Sequence, residues 1–296
     1  MIHNSIPFVF FGTPRFSVIV LDELKRAGVL PSLIITAPDR PAGRGLRLTP
    51  PPVKLWALEN GIEFVQPEKL DAAFHSQMSN VKCQMSVLAA YGKIIPRSLI
   101  EALPKGILNI HPSLLPKYRG PSPIQAQILA DDKEIGVTVM LLDEQMDHGP
   151  IVASAKCKVQ SAKLDDWPPR AWQLEEMLAH EGGALLAKTI PKWLTGEIKP
   201  HEQDHAKASY TKKITREDGL IALEDITEKP SETFLKIRAF DPWPGTYFFT
   251  ERSGEKSRVK IKDAVFKNGT LEITRVQPEG GREIVYRDFT QRLSEV

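Results

Sequence analysis

Asn109 and His111 stand two residues apart at the end of a short apolar run, Gly106-Ile107-Leu108-Asn109-Ile110-His111. In an extended chain successive side chains point to opposite faces. The amide and the imidazole therefore project together, while Ile110 turns to the core. Pro112 and Pro116 stiffen the chain beyond His111, with Ser113, Leu114 and Leu115 as a short wall between them. Either polar residue alone could simply cap a strand end or a turn. A second stretch, Asp143-Glu144-Gln145-Met146-Asp147-His148-Gly149-Pro150, supplies carboxylates. Asp143 and Glu144 read as solvated loop charges, whereas the His-Gly-Pro turn can aim Asp147 inward. A carboxylate near His111 would orient the ring and favour its protonated form. With no nucleophilic Ser or Cys beside them, these groups suit direct acyl transfer. Asn109 and His111 would donate to an oxyanion, and His111 with Asp147 would manage the proton. The spacing does not suggest a metal.

The elements that must position these groups alternate in type. "PFVFFG" reads as a buried strand ending at Gly12, followed by helical spacing from Pro14 to Gly28. "SLIITA", "QMSVLAA" and "GILNIH" are further strands, with a helix in "VKLWALENG" and another in "SPIQAQILADD". "EIGVTVMLLD" and "GPIVASAKCKV" close the strand series before one long helix in "PRAWQLEEMLAHEGGALLAKTIPKWLTG". Such alternation predicts an α/β fold with a mostly parallel sheet. Ligands of such sheets bind beyond the carboxyl ends of the strands, where Asn109 and His111 fall. The polar segment "KPHEQDHAKASYTKK" has no clear period and reads as a linker. Beyond it, "TYFFT", "SRVKIKDAVF", "TLEITRVQ" and "REIVYRDF" predict a small all-β unit, a barrel by pattern.

The whole chain sets bounds on function. At 296 residues, one large domain or two moderate ones are expected. The 42% apolar and 26% charged fractions exclude a disordered or fibrous protein. No apolar run is long enough to span a membrane, and the N-terminal stretch lacks a signal-peptide pattern, so a cytoplasmic location is expected. Cys83 and Cys157 sit in apolar stretches without metal-ligand spacing and read as free buried thiols. A net charge of +2 is too mild to announce nucleic acid, so the placement of the basic groups carries more information.

"NIHPSLLPKYRGPSPIQ" together with "DEQMDHGPI" resembles the folate-dependent formyltransferases. "FGTPRFS", "PDRPAGRG", "LAAYGKIIP", "YTKKITREDGLI" and "IRAFDPWPGTYF" narrow the resemblance to members whose acceptor is initiator tRNA. The likeness runs from near the N-terminus into the β unit. It implies a Rossmann-like catalytic domain over residues 1–205 and a C-terminal OB-like β-barrel domain that binds tRNA over residues 209–296. It implies transfer of a formyl group from 10-formyltetrahydrofolate to the methionine amino group of initiator methionyl-tRNA; a monomer that needs no metal is expected. The matching positions carry the catalytic roles onto Asn109, His111 and Asp147. They carry the folate contacts onto Ser113, Leu114, Leu115 and Pro116, and onto Tyr91, Gly92 and Ile94. One departure is visible: after Asp218-Gly219-Leu220-Ile221, where members often carry a Trp, this chain has Ala222-Leu223-Glu224-Asp225.

Two basic stretches suit RNA. "PDRPAGRGLRLTPPPVK" is a Pro/Gly-rich loop carrying Arg40, Arg44, Arg47 and Lys54 against Asp39 alone. A solvated charge run is the usual fate of such a loop, but arginine forks match phosphates, and the family uses this loop for tRNA. In "SRVKIKD", Arg258, Lys260 and Lys262 alternate with Val259 and Ile261, so the three cations share a strand face. Glycinamide ribonucleotide or a sugar nucleotide is the alternative acceptor, although neither needs the basic loop or the β unit. A catalytically idle RNA-binding module is the alternative of another class.

Overall fold

The computed structural model describes residues 8–43, 45–79, 81–157, 167–252 and 255–294. The described chain divides into two compact units. The first collects residues 8–120, 134–157 and 175–210, and the second collects 121–133, 167–174 and 211–294.

Strand β1 (Phe8–Gly12) is wholly buried, as its unbroken apolar run requires. Helix α1 (Arg15–Arg26) follows, capped by Pro14, and buries Phe16, Ile19, Val20 and Leu24 at helical spacing. After β2 (Leu33–Ile35), strands β3 (Arg40–Ala42) and β4 (Arg47–Thr49) pair as a two-stranded antiparallel ribbon. The Pro/Gly-rich composition of this stretch predicts only a loop. Helix α2 (Pro52–Asn60) ends at Gly61, whose left-handed φ of 65° closes it as the sequence suggests. Strand β5 (Phe64–Val65), helix α3 (Ala72–Ser79), strand β6 (Met85–Ala89), helix α4 (Arg97–Glu101) and strand β7 (Ile107–His111) continue the chain.

Helix α5 (Pro123–Leu129) leads to β8 (Ile135–Leu141) and β9 (Ile151–Cys157). The seven-stranded sheet has the order β5-β2-β1-β6-β7-β8-β9. Its first five members are parallel, and β8 and β9 each run antiparallel to their neighbour. The fold is therefore Rossmann-like with a mostly parallel sheet.

Period two decides which face of the sheet each residue serves. Phe8, Phe10, Leu108 and Ile110 pack with Val20, Leu24 and residues of the long helix α6 (Ala171–Thr195), among them Leu186 and Ile190. Val9, Phe11 and Ile107 face the other way, into a cluster with Phe74, Leu99, Tyr91 and Ile95. Asn109 and His111 alternate with Leu108 and Ile110, so they share the Ile107 side.

In the second unit, α7 (Asp225–Glu228) and α8 (Pro230–Ala239) precede β10 (Thr246–Arg252), β11 (Glu255–Lys267), β12 (Thr270–Pro278) and β13 (Ile284–Val285). These four strands form an antiparallel sheet in sequence order around Phe248, Val259, Ile261, Ile273 and Val276. Helix α5 packs on α8 in this unit. The sequence pattern predicts a last strand running through Phe289, but the chain turns into helix α9 (Tyr286–Ser294). Tyr286 and Phe289 stand three apart, and both join the same core, which is helical rather than strand spacing.

Candidate active site

Strand β7 delivers Asn109 and His111 nearly buried, at 6% and 4% exposure. The Asn109 side-chain amide makes no hydrogen bond to another described residue, so its donor remains available. His111 is held at both nitrogens. Its Nε2 donates to the Tyr118 carbonyl at 3.0 Å, and its Nδ1 lies 3.5 Å from Asp147 Oδ1. A carbonyl only accepts, so Nε2 carries the hydrogen of that bond, and the Asp147 carboxylate faces the other nitrogen.

Asp147 reaches this place by tertiary folding. Because β8 is antiparallel to β7, with His111 opposite Thr138 and Leu108 opposite Leu141, the loop after β8 leaves at the far end of the sheet. It returns far enough to set Asp147 beside His111. Two local features permit the return. Asp147 adopts φ +50°, and a Cβ on Gly149 would stand 2.0 Å from the Leu141 carbonyl oxygen, so only glycine fits. The second carboxylate oxygen of Asp147 accepts the Gly120 N–H at 2.7 Å. Asp143 accepts from Gln145 N–H and from His148 Nδ1, and Glu144 pairs with Arg97, as loop charges do.

The turn after β7 is braced from β8. The buried Thr138 hydroxyl donates to the Ser113 carbonyl at 2.8 Å and accepts the Leu115 N–H at 3.1 Å. Ser113 Oγ donates to the Lys117 carbonyl, and the Leu115–Pro116 bond is cis. Ser113 and Leu115 are thus buried structural members of the turn, while Leu114 and Pro116 are half-buried. Beyond β6, on the same edge of the sheet, Gly92 has φ +82° and Ile94 is 94% exposed. Tyr91 is buried edge-on to Phe11. Its hydroxyl has no hydrogen-bond partner among the described residues, and burial pushes its ionisation up to about 12.

The segment that reads as a linker is docked. His201 and Ile151 exchange both backbone hydrogen bonds, and Ser209 accepts the Arg119 N–H through its carbonyl and the Tyr118 N–H through its hydroxyl. Gln203 is 4% exposed and Arg119 only 1%. The Arg119 guanidinium donates from Nε and Nη2 to Gln203 Oε1 at 3.2 and 2.6 Å, from Nη2 to His205 Nδ1 at 2.9 Å, and from Nη1 to the Tyr210 hydroxyl at 3.2 Å. Sequence reasoning missed Arg119, Gln203 and Ser209. An arginine before a turn glycine and a glutamine between acids carry no local signal of burial.

The basic groups lie elsewhere in the chain. Arg40 and Arg47 are exposed on opposite strands of the β3–β4 ribbon, and Arg44 lies outside the described residues. Lys54 is neutralised by Asp39 at 2.7 Å. On β11, Val259 and Ile261 are buried while Lys260 and Lys262 are exposed and Arg258 is half-exposed, so the alternation holds. Tyr247 and Phe249 of β10 stand opposite Lys260 and Arg258, giving that face an aromatic component that the alternation within β11 does not reveal. The cations of β3–β4 and β11 belong to different units. Among the described residues no cluster of His, Cys, Asp and Glu could hold a metal, and no helix is long and apolar enough to cross a membrane.

An amide, an imidazole and a carboxylate thus stand together on an open α/β sheet, and residues 5–176 match the formyl transferase family model. The chain is 44% identical over 260 residues to the methionyl-tRNA formyltransferase of Chloroflexus aurantiacus, spanning 87% of this chain and 79% of that protein. The methionyl-tRNA formyltransferase of Halorhodospira halophila is 36% identical, with 95% and 94% covered. The chain belongs to the methionyl-tRNA formyltransferase family. In structure it is similar to a methionyl-tRNA formyltransferase from Clostridium thermocellum, with a TM-score of 0.57, 17% identity, and 92% and 98% covered.

Proposed function

We propose that the chain transfers a formyl group from 10-formyltetrahydrofolate to the α-amino group of methionine on initiator tRNA. The observation that carries this reading is the His111–Asp147 couple beside the unengaged Asn109 amide. In the reaction a bond forms between the amine nitrogen and the formyl carbon, and the bond from that carbon to the donor nitrogen breaks. An α-amino group has a pKa of about 7.7–8.0, so a neutral fraction is present near pH 7. Asn109 N–H donates to the oxyanion that develops at the formyl oxygen, and the Nε2–H of His111 joins it by leaving the Tyr118 carbonyl. The amine loses a proton, and the leaving nitrogen gains one through His111 held by Asp147.

The donor's ring system has a fitting environment in Tyr91, Gly92 and Ile94 with the Ser113-Leu114-Leu115-Pro116 turn. The support is the unpartnered Tyr91 hydroxyl and the bare Ile94 side chain on the same sheet edge. Arg40, Arg44 and Arg47, with Arg258, Lys260 and Lys262, would meet tRNA phosphates. Catalysis is assigned to residues 1–205 and tRNA binding to residues 209–296, in a cytoplasmic monomer without a metal. The test is single-turnover transfer to charged initiator tRNA, with glycinamide ribonucleotide as the competing acceptor. Asp147→Asn keeps an acceptor for the Gly120 N–H and should cost about 10²–10³ in rate. Transfer to the small nucleotide alone would overturn the choice of acceptor, and parental turnover in Asp147→Asn would remove Asp147 from the mechanism.

A further inference from the structure

The two neighbours of His111 are supplied by segments far apart in sequence. The first is the peptide Tyr118-Arg119-Gly120, which gives the carbonyl for Nε2 and the N–H for Asp147 Oδ2. The second is the loop Asp147-His148-Gly149, which gives the carboxylate. Gln203 touches both. Its Oε1 accepts two N–H groups of the Arg119 guanidinium, and its Nε2 donates to the carbonyls of Asp147 at 3.0 Å and Gly149 at 2.7 Å. Among the described residues Arg119 has no carboxylate partner, although it is almost wholly buried. Burying an unneutralised guanidinium is costly. The cation is useful because Gln203 must present its oxygen to it, which turns the amide nitrogen toward the two carbonyls of the loop.

We propose that Gln203 is a positioning residue for formyl transfer, clasping the Tyr118–Gly120 peptide to the Asp147–Gly149 loop through Arg119 and so setting the separation of His111 from Asp147. Its activity readout rests on the formyl-transfer reading above; its geometric readout does not. A displacement of about 1 Å in such a couple can cost about 10²-fold in rate.

The experiment uses the full chain with Gln203→Ala and Gln203→Glu. The glutamate keeps the size and an oxygen for Arg119 but has no N–H for the loop carbonyls. Both variants are expected to lower kcat by about 10²-fold with KM for each substrate unchanged, the pattern of a group that matters only in the transition state. In the protein without substrate, the His111 imidazole ¹⁵N resonances should shift in both variants, because the Nδ1 contact with Asp147 changes. Should Gln203→Ala fail to fold, Gln203→Glu carries the test. Parental kcat in the folded variants would overturn the proposal. So would a loss of activity with raised KM values and unmoved His111 resonances, which marks a merely structural role. A parental chain that transfers no formyl group would refute the function instead, and the resonances would still decide the clasp.

Discussion

Replacing Thr138 by Val removes one hydroxyl and changes almost nothing in size. Thr138 is fully buried on β8 and is the bridge between two backbone groups of the turn after β7, the Ser113 carbonyl and the Leu115 N–H. Ser113 is buried completely and Leu115 is 8% exposed, so water cannot easily take over either bond. Leaving a buried polar group unpaired costs about 1–3 kcal/mol, so the two together should cost about 2–6 kcal/mol. No cavity adds to this, because Val fills the space of Thr. Against a typical stability of about 5–15 kcal/mol the loss is large but survivable. Urea unfolding with linear extrapolation measures it, read as a lower midpoint at constant slope. A turn that has lost its brace should also raise KM for the formyl donor and leave KM for charged tRNA as it was. A loss below about 1 kcal/mol with unchanged donor KM would show that the turn is held from elsewhere.

Other perturbations separate the remaining parts. Arg40→Ala combined with Arg47→Ala should weaken tRNA binding and reduce the slope of log affinity against log salt by about 0.7–0.9 for each phosphate no longer engaged, while donor binding is unchanged; an unaltered slope would make the ribbon a solvated surface. Chain termination after Lys207 should give an unstable product rather than the self-sufficient domain that a linker would allow. It removes Ser209 and Tyr210, which hold Tyr118 and Arg119, and uncovers α5, which packs on α8; a fragment with full-length thermal stability would refute this. Burial pushes the Cys157 thiol up to about 12 and raises that of Cys83. Because the thiolate is the reactive form, both should resist a disulfide reagent at pH 8 until denaturant is added. Rapid reaction in the folded protein would contradict the burial.

Features that depend on neighbours a few residues apart are legible along the chain. Asn109 and His111 share a face because side chains in a strand alternate, and the same rule sets Lys260 and Lys262 outward and Val259 and Ile261 inward. Apolar runs punctuated by Gly and Pro are enough to find six of the seven sheet strands and the first two helices, whereas the two-residue β5 is too short to leave such a run. The error at Tyr286–Phe289 has the same source, since a run this short, continuing directly from Ile284-Val285, reads as more strand until the core takes hold of both rings. The His-Gly-Pro turn already favours Asp147 over Asp143 and Glu144 in the sequence, but only the folded chain brings it to His111. That placement depends on the antiparallel turn of β8 and on a backbone approach that only Gly149 permits. Folding likewise makes a polar, aperiodic segment part of the site. The bonds of Gln203 and Ser209 run to partners more than fifty residues away, through single side chains and irregular backbone. Contacts of that kind leave no period behind, because each depends on the folded path of two distant segments and not on the spacing within either.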